Sequence, residues 1–258
     1  MPEMYIHEYT NLPPKEKRQL DFKRRYKADH PQWDDSMVKL TTLVRERVEN
    51  HAHVLDAGCG NGNYVIQESP DKEWRTIGID VDETTTRNNR WLDRIVHGHL
   101  EHLPFEDASF DLALSLWVLE HVSEPEAIFC EIFRVLKPGG HFAFVTPNKR
   151  SLLIGLRRLM PDRLAGTLVR RLYDREEQDA FPVRYRANTV HDLRTLAEKT
   201  GFTIETLSTN SDPSYTSFNH WTYWLSSFFA TRTCSLFQPH IIGVLRKPIT
   251  TARESHDP

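Results

Sequence analysis

The sequence predicts an α/β fold built on a doubly wound, mostly parallel sheet, and three observations support this class. Short apolar segments that end in an acidic residue recur in the first half of the chain, at residues 54–56 and 77–80. A glycine-rich turn at residues 58–62 follows the first of them. Amphipathic stretches separate the apolar segments, and this alternation places helices on both faces of a parallel sheet.

The first amphipathic helix is predicted just before the glycine-rich turn. Its apolar positions recur three and four residues apart, at Met37, Leu40, Val44 and Val48. Asp34 or Asp35 can cap its first turn. The preceding residues 1–35 are polar and include a basic run. They are interpreted either as a lid over the site or as a disordered terminus. The candidate lid contacts are Tyr5, His7 and Tyr9.

The glycine-rich turn has the chemistry of a cofactor site. Gly58, Gly60 and Gly62 let the backbone approach a ligand closely, because no Cβ stands in the way. Asp56 lies two residues before the first glycine, where its charge would repel a pyrophosphate. The pattern therefore favours a nucleoside with a positive or zwitterionic group over a dinucleotide.

Several segments between about residues 50 and 148 together resemble the class I S-adenosylmethionine-dependent methyltransferases of the small-molecule type. The glycine-rich turn resembles their first motif, and an acid-ended strand follows, with Asp80 placed 24 residues after Asp56. A segment LPFEDASFD at 103–111 resembles the run before the family's fourth strand, which is expected here at 112–116. VLEHV at 118–122 resembles the turn and helix after that strand. VLKPGG at 135–140 resembles the helix end and tight turn before a fifth strand at 141–146.

This resemblance implies a Rossmann-like sheet of seven strands and S-adenosylmethionine as the cofactor. It implies that Asp80 accepts the ribose hydroxyls. The implied cofactor-binding residues are Asp56, Gly58, Cys59, Gly60, Gly62, Asp80, Val81, His99, Leu100 and Leu116. Gly98-His99 departs from the family, which often has Gly-Asp there. His99 can accept from the adenine amino group through a neutral ring nitrogen, or the backbone alone holds the base.

The candidate catalytic residues are His121 and Tyr185. His121 follows the fourth predicted strand, whose end would face the methyl group, and the alternative is a histidine that packs against or caps its helix. Tyr185 lies between Arg184 and Arg186, as a substrate contact or as part of an ordinary surface loop. Trp117 either walls the pocket or packs in the core.

Composition limits the function further. The net charge of −3 gives no basic field for nucleic acid. The three cysteines lack disulfide or metal-ligand spacing, and no histidine pair has it either, so we expect reduced thiols, a cytoplasmic location and no metal. Cys59 is expected to be a small filler of the glycine-rich turn. No segment is apolar enough for a signal or a membrane span.

The domain prediction is one methyltransferase domain over residues 1–258. Its cofactor-binding core covers 36–148 and is completed by 188–207 and 240–248. Within the completion, a helix is expected over 190–200, with strands at 202–207 and 240–246. The insertions at 149–187 and 208–239 are predicted to form a cap.

The cap insertions carry large apolar faces. One interleaves leucines with arginines over 152–172, and the other bears tryptophans and phenylalanines over 221–229. These faces either pack on each other and the core, form a homodimer, or form a substrate cap that touches a membrane. We expect O-methylation of a small-molecule, saccharide or lipid-linked acceptor. The alternative functions are methylation of protein or RNA, and a non-catalytic cofactor-binding scaffold.

Overall fold

The computed structural model describes residues 14–151, 182–217, 219–231 and 238–249. Its strands are β1 (His53–Ala57), β2 (Arg75–Asp80), β3 (Arg94–His97), β4 (Phe110–Leu116), β5 (Leu136–Pro147), β6 (Thr203–Asn210) and β7 (His240–Arg246). Its helices are α1 (Pro14–Asp29), α2 (Ser36–Arg45), α3 (Tyr64–Gln67), α4 (Glu83–Thr86), α5 (Pro125–Val135), α6 (Val190–Thr200) and α7 (His220–Thr231), with 3₁₀ turns at Pro70–Lys72 and Pro213–Thr216.

The seven strands form one sheet in the order β3-β2-β1-β4-β5-β7-β6. The first five strands pair in parallel, and β7 runs antiparallel to both of its neighbours. The carboxyl ends of β5 and β6 therefore meet the start of β7, where Pro147 and Asn210 both pair with His240. This edge also holds the carboxyl ends of β1, β2 and β4, so it is the edge at which a ligand is expected.

Each face of the sheet has its own apolar layer. On one face, Phe129 and Ile132 of α5 and Leu193 of α6 pack with the sheet residues Leu55 and Phe142. On the other face, α2 packs against β5 and β7, in a second layer of buried residues. Helices therefore cover both faces, and the predicted doubly wound α/β class is confirmed.

Local sequence signals fix several element ends. The Asp35 carboxylate accepts the Met37 amide at the start of α2, and Thr189 accepts the Asp192 amide at the start of α6. Helix α6 ends at Gly201, which has a left-handed φ of 88° and so leaves the helix without Cβ strain. The predicted helix at 190–200 and strand at 240–246 are both confirmed.

Two predicted boundaries differ from the structure. Residues 118–122 form turns, and the helix begins later, at Pro125, because proline fits the first helical position. Residues 136–140 belong to β5, whose pairing with β4 shifts register between Phe110 and Leu112. The leucine and arginine run at 152–172 lies outside the described residues, as do Tyr5, His7 and Tyr9.

The N-terminal segment is held against the end of the sheet. Helix α1 packs on the 3₁₀ turn Pro213–Thr216, and the indole N–H of Trp33 donates to the Ser211 carbonyl at 2.9 Å. The Lys23 ammonium pairs with Asp35 and with Asp212, both buried. Within the described part of the chain, no helix has the length and hydropathy needed to cross a membrane.

Substitution of Gly243 tests the packing of the sheet. A Cβ at this position in β7 would lie 2.1 Å from Cζ of Phe144 in the core. We expect Gly243→Ala to lower the free energy of unfolding by about 1–3 kcal/mol in urea titrations, because the core must shift to admit it. The control is Gly98→Ala, whose Cβ would meet only the Ile79 side-chain tip at 3.3 Å. Equal losses in the two variants would contradict this packing.

Candidate active site

The glycine-rich turn after β1 has one packed glycine and one open glycine. Gly58 and Gly60 have left-handed φ values of 82° and 45°. A Cβ on Gly58 would lie 2.4 Å from Cγ2 of Val118, so this glycine is needed for packing. Apart from Gly60 itself and its two chain neighbours, no described residue has an atom within 4 Å of the Cβ position of Gly60. The turn therefore leaves room at Gly60 for a ligand to approach the backbone.

Asp80, at the end of β2, holds this turn in place. Its Oδ2 accepts the Gly60 amide at 2.9 Å, and its Oδ1 accepts the Asp82 amide at 2.9 Å. The side chain is only partly buried, so the carboxylate can still meet a ligand at the edge of the sheet. The loop-holding role was not predicted from the sequence.

Asp56, the second-last residue of strand β1, is a buried acid with one carboxyl oxygen that lacks a hydrogen-bond donor. Its Oδ1 accepts Nδ2 of Asn63 at 2.8 Å, and its Oδ2 has no hydrogen-bond partner among the described residues. Burial, with a smaller contribution from the charge of Asp80, raises the pKa of Asp56 to about 7 against the opposing Asn63 hydrogen bond. A buried carboxyl oxygen without a donor fits a ligand that brings a cationic or N–H group.

Two asparagines that the sequence analysis missed support the turn. Asn63 caps α3 through its side-chain oxygen, which accepts the Val65 amide, while its amide nitrogen holds Asp56. Asn89 donates to the Gly60 carbonyl at 3.1 Å. Asn63 stands where a helix cap is expected after the turn, so the capping rule could have found it. Asn89 gives no such local signal.

The other candidate cofactor residues lie along the same edge. Cys59 points into the sheet, where its Sγ would be 2.7 Å from a Cβ on Gly78, and burial raises the pKa of its thiol to about 12. Val81 and His99 are exposed, and Leu100 is buried. Together with Leu116, they end or follow β2, β3 and β4, which brings them to the carboxyl edge.

Glu120, in the loop after β4, is a second buried acid with a pKa near 7. It was not predicted from the sequence as a site residue. Burial raises its pKa to about 7, against opposing hydrogen bonds from the backbone and Thr146. Its Oε2 accepts the Thr146 hydroxyl at 3.2 Å, and that hydroxyl accepts Nδ2 of Asn188 at 2.6 Å. The signal in the sequence was an acid between Leu119 and His121 in the VLEHV segment.

The structure brings the candidate catalytic residues His121 and Tyr185 to one loop cluster around Glu120. Nε2 of His121 lies 3.9 Å from Oε1 of Glu120, and its Nδ1 lies 3.4 Å from the Pro182 carbonyl oxygen. The amides of Arg184 and Tyr185 donate to the Glu120 carbonyl at 2.7 and 3.1 Å. Tyr185 has a left-handed φ of 52°, an uncommon conformation for a bulky residue.

Trp117 connects this loop to a polar cluster at the end of the sheet. Its ring contacts the His240 ring edge to face at 4.8 Å, and Nδ1 of His240 lies 2.9 Å from the Ser36 hydroxyl. Asn210 donates to the same hydroxyl at 3.0 Å. Burial lowers the pKa of His240 to about 4, which keeps the ring neutral. Trp117 has a left-handed φ of 60°, so it is held in a conformation that costs energy.

A comparison with known families covers the segment that contains the glycine-rich turn. Residues 55–144 match the model of a family described as "Methyltransferase domain". This segment of the chain is therefore similar to the methyltransferase domain family. The match covers the glycine-rich turn, Asp56, Asp80 and the loop after β4. The predicted resemblance to class I S-adenosylmethionine-dependent methyltransferases is thereby confirmed.

Two curated relatives extend the comparison. A Mycolicibacterium smegmatis protein named "Probable S-adenosylmethionine-dependent methyltransferase" is 43% identical over 100 residues, which are 37% of this chain and 38% of that protein. The malonyl-[acyl-carrier protein] O-methyltransferase of Erwinia pyrifoliae is 36% identical over 113 residues, which are 43% of each protein. The chain thus spans less than half the length of these two relatives.

A solved structure shares the fold over a longer range. The [4+2]-cyclase SpnF has a TM-score of 0.55 and 22% identity, and the match covers 82% of this chain and 81% of that one. Its name gives a reaction other than methyl transfer. The shared fold therefore leaves the reaction to be argued from the site.

The two buried acids predict how stability depends on pH. Asp56 and Glu120 have folded pKa values of about 7, against ordinary values of 3.8 and 4.5. Between about pH 4.5 and 7 the folded chain keeps two protons that the unfolded chain releases. We therefore expect the free energy of unfolding to fall as pH rises through this window, by up to about 1.4 kcal/mol per pH unit for each acid.

Amide variants isolate this effect. We expect Asp56→Asn combined with Glu120→Gln to flatten the slope in urea titrations at about pH 5 and about pH 7. Glu83→Gln, which replaces an exposed acid on α4, is the matched control and should keep the slope. A slope that persists in the double variant would show that other groups cause it.

Proposed function

We propose that this chain is an S-adenosylmethionine-dependent methyltransferase whose acceptor is a small molecule or a saccharide- or lipid-linked molecule, methylated on oxygen. The observation that carries the proposal is the orphaned Oδ2 of buried Asp56 beside the open backbone of Gly60 and the carboxylate of Asp80. This donor-poor, acidic edge fits a cofactor with a cationic end and a ribose.

The residues that would hold the cofactor divide by the chemistry they offer. Asp80 would accept the ribose hydroxyls, and Asp56 would face the cationic amino acid end. The backbone of Gly58, Gly60 and Gly62, beside Cys59, would form the floor. Val81, His99 and Leu100 would surround the base, and Leu116 would lie near the methionine. When bound, S-adenosylmethionine supplies a methyl group on a positively charged sulfur, which an oxygen nucleophile attacks directly.

His121 is our proposed proton acceptor. Its Nδ1 lies near the Pro182 carbonyl, so Nδ1 carries the proton and Nε2 keeps the lone pair for an acceptor hydroxyl. Glu120, 3.9 Å from Nε2, stabilises the protonated ring that forms. Its buried position strengthens this effect, since a low dielectric increases the attraction between charges. Tyr185, in the same cluster, is the proposed substrate contact.

Oxygen as the methylated atom is supported by this arrangement, since a hydroxyl or carboxyl acceptor needs a group that takes its proton. The Erwinia relative is also named as an O-methyltransferase. The net charge of −3 argues against a nucleic-acid acceptor. We propose a cytoplasmic location on the basis of the free thiols Cys59 and Cys130.

Calorimetry with S-adenosylhomocysteine tests the cofactor assignment. We expect micromolar or tighter binding of this product, with no binding of NAD. Asp80→Ala should weaken the binding about 10- to 100-fold, because charge-assisted hydrogen bonds to the ribose are worth roughly 1.5–3 kcal/mol. The product affinity of Asp80→Asn should lie between those of the unsubstituted chain and Asp80→Ala, since asparagine keeps one acceptor for the Gly60 amide. NAD binding without a response to the product would overturn the proposal.

Acceptor-dependent formation of S-adenosylhomocysteine tests the catalytic assignment. We expect a panel of hydroxyl and carboxyl compounds to contain an acceptor, and His121→Ala to lower kcat about 10²- to 10⁴-fold at unchanged product affinity. Glu120→Gln should move the pH profile of kcat with a smaller loss. His191→Ala, on an exposed position of α6, is the control.

Three results would count against parts of this proposal. Transfer only to amine or carbon acceptors would remove the O-methylation proposal. Product binding without turnover on any acceptor class would favour a cofactor-binding scaffold. Loss of product affinity in His121→Ala would place this residue in cofactor binding and leave the proton acceptor unassigned.

A further inference from the structure

Helix α7 presents an apolar face to solvent. The exposed fractions of Trp221, Trp224 and Leu225 are 83%, 63% and 49%. These residues are three and four positions apart, so they share one helical face. None of the twelve residues of α7 is an aspartate, glutamate, lysine or arginine. A contiguous apolar surface of this kind marks an interaction site.

The opposite face of α7 fixes this orientation. Tyr223 is buried there, its ring stacks on Phe22 at 5.3 Å, and its hydroxyl donates to Asp29 at 3.0 Å. Both partners belong to α1, and α7 also packs on the 3₁₀ turn Pro213–Thr216. The helix is therefore anchored through its buried side, and the tryptophans are directed outward.

Cationic groups border the apolar face. The Arg25 guanidinium lies 4.7 Å from the Tyr223 ring centroid and 2.9 Å from Nδ1 of His220, at the start of α7. Arg18 lies two helical turns earlier on the same face of α1, and both arginines are exposed. Lys23 and Lys27 pair with nearby aspartates, whereas the exposed Arg18 and Arg25 can meet an anionic surface.

We infer that this surface docks on an anionic lipid bilayer, with Trp221, Trp224 and Leu225 in the headgroup region and Arg18 and Arg25 facing the lipid charges. Aromatic side chains beside basic residues are the combination that binds such interfaces. A twofold dimer through this face would instead bring the cationic borders of two copies together, which is unfavourable. The inference does not depend on methyl transfer.

Docking here would place a membrane beside the carboxyl edge of the sheet. Helix α1 is fixed to that edge through Lys23 and Asp212, and Asn210 donates to the Asp34 carbonyl next to them. The lipid surface would thus lie on the side where β6 ends and β7 begins. This is the side on which the Trp117 and His240 rings meet.

Sedimentation with vesicles tests the inference on the full chain. The probes are vesicles of phosphatidylcholine alone and vesicles with about one third phosphatidylglycerol. We expect binding to the anionic vesicles that weakens with added salt, and little binding to the neutral ones. Trp221→Ser combined with Trp224→Ser should lower the partition coefficient about tenfold or more. Arg18→Gln and Arg25→Gln should each lower it about fivefold.

Ile249→Ser is the matched control, since Ile249 is 60% exposed and lies near Gly139, away from the carboxyl edge. Thermal unfolding midpoints of all variants, compared with that of the unsubstituted chain, check that each variant keeps its fold. Unchanged binding in the tryptophan variant, or equal binding to neutral vesicles, would overturn the inference. So would absence of vesicle binding together with a dimer that the tryptophan variant abolishes, because the occupant would then be a second copy.

Discussion

The hydrogen bond from the Gly60 amide to the Asp80 carboxylate is the contact on which the candidate site depends. It joins the turn after β1 to the end of β2, and parallel pairing of these strands brings the two groups within 2.9 Å. In this arrangement of the turn, Gly58 packs tightly against the Val118 side chain. The space beside Gly60 is free for a ligand. The same contact keeps the Asp80 charge close to Asp56, which contributes to the raised pKa of the buried acid.

Two buried carboxyl groups with pKa values near 7 are costly features to keep in a fold. Each carboxyl group is deeply buried but accepts few side-chain hydrogen bonds. Asp56 accepts one from Asn63, and Glu120 accepts one from Thr146. A core of apolar residues would be more stable at neutral pH, since burying an acid without full hydrogen bonding is unfavourable. Their presence at the ligand edge is the pattern expected where function sets the residue type at the expense of stability.

The parts of the molecule that the sequence predicted well depend on neighbouring residues. Helix α6 is bracketed by Thr189 and Gly201, so its ends follow from capping rules. The role of Glu120 was not predictable in this way, because its partner Thr146 is 26 positions away. The contact between the Trp117 and His240 rings likewise joins distant segments. The chain also bends after β4 at Trp117, whose backbone has a left-handed φ that no local sequence rule predicts for tryptophan.

The boundary of the family match divides the carboxyl edge of the sheet into two parts. Residues 55–144 contain the whole glycine-rich turn, Asp80 and Trp117, but not Ser36, Asn210 or His240. The contact between the Trp117 and His240 rings therefore joins the part of the edge inside the matched segment to a polar cluster outside it. The start of α2 and the strand ends of β6 and β7 build that cluster, so substitutions there leave the Gly60–Asp80 contact intact. Under the proposed function, these are the substitutions that we expect to alter acceptor choice.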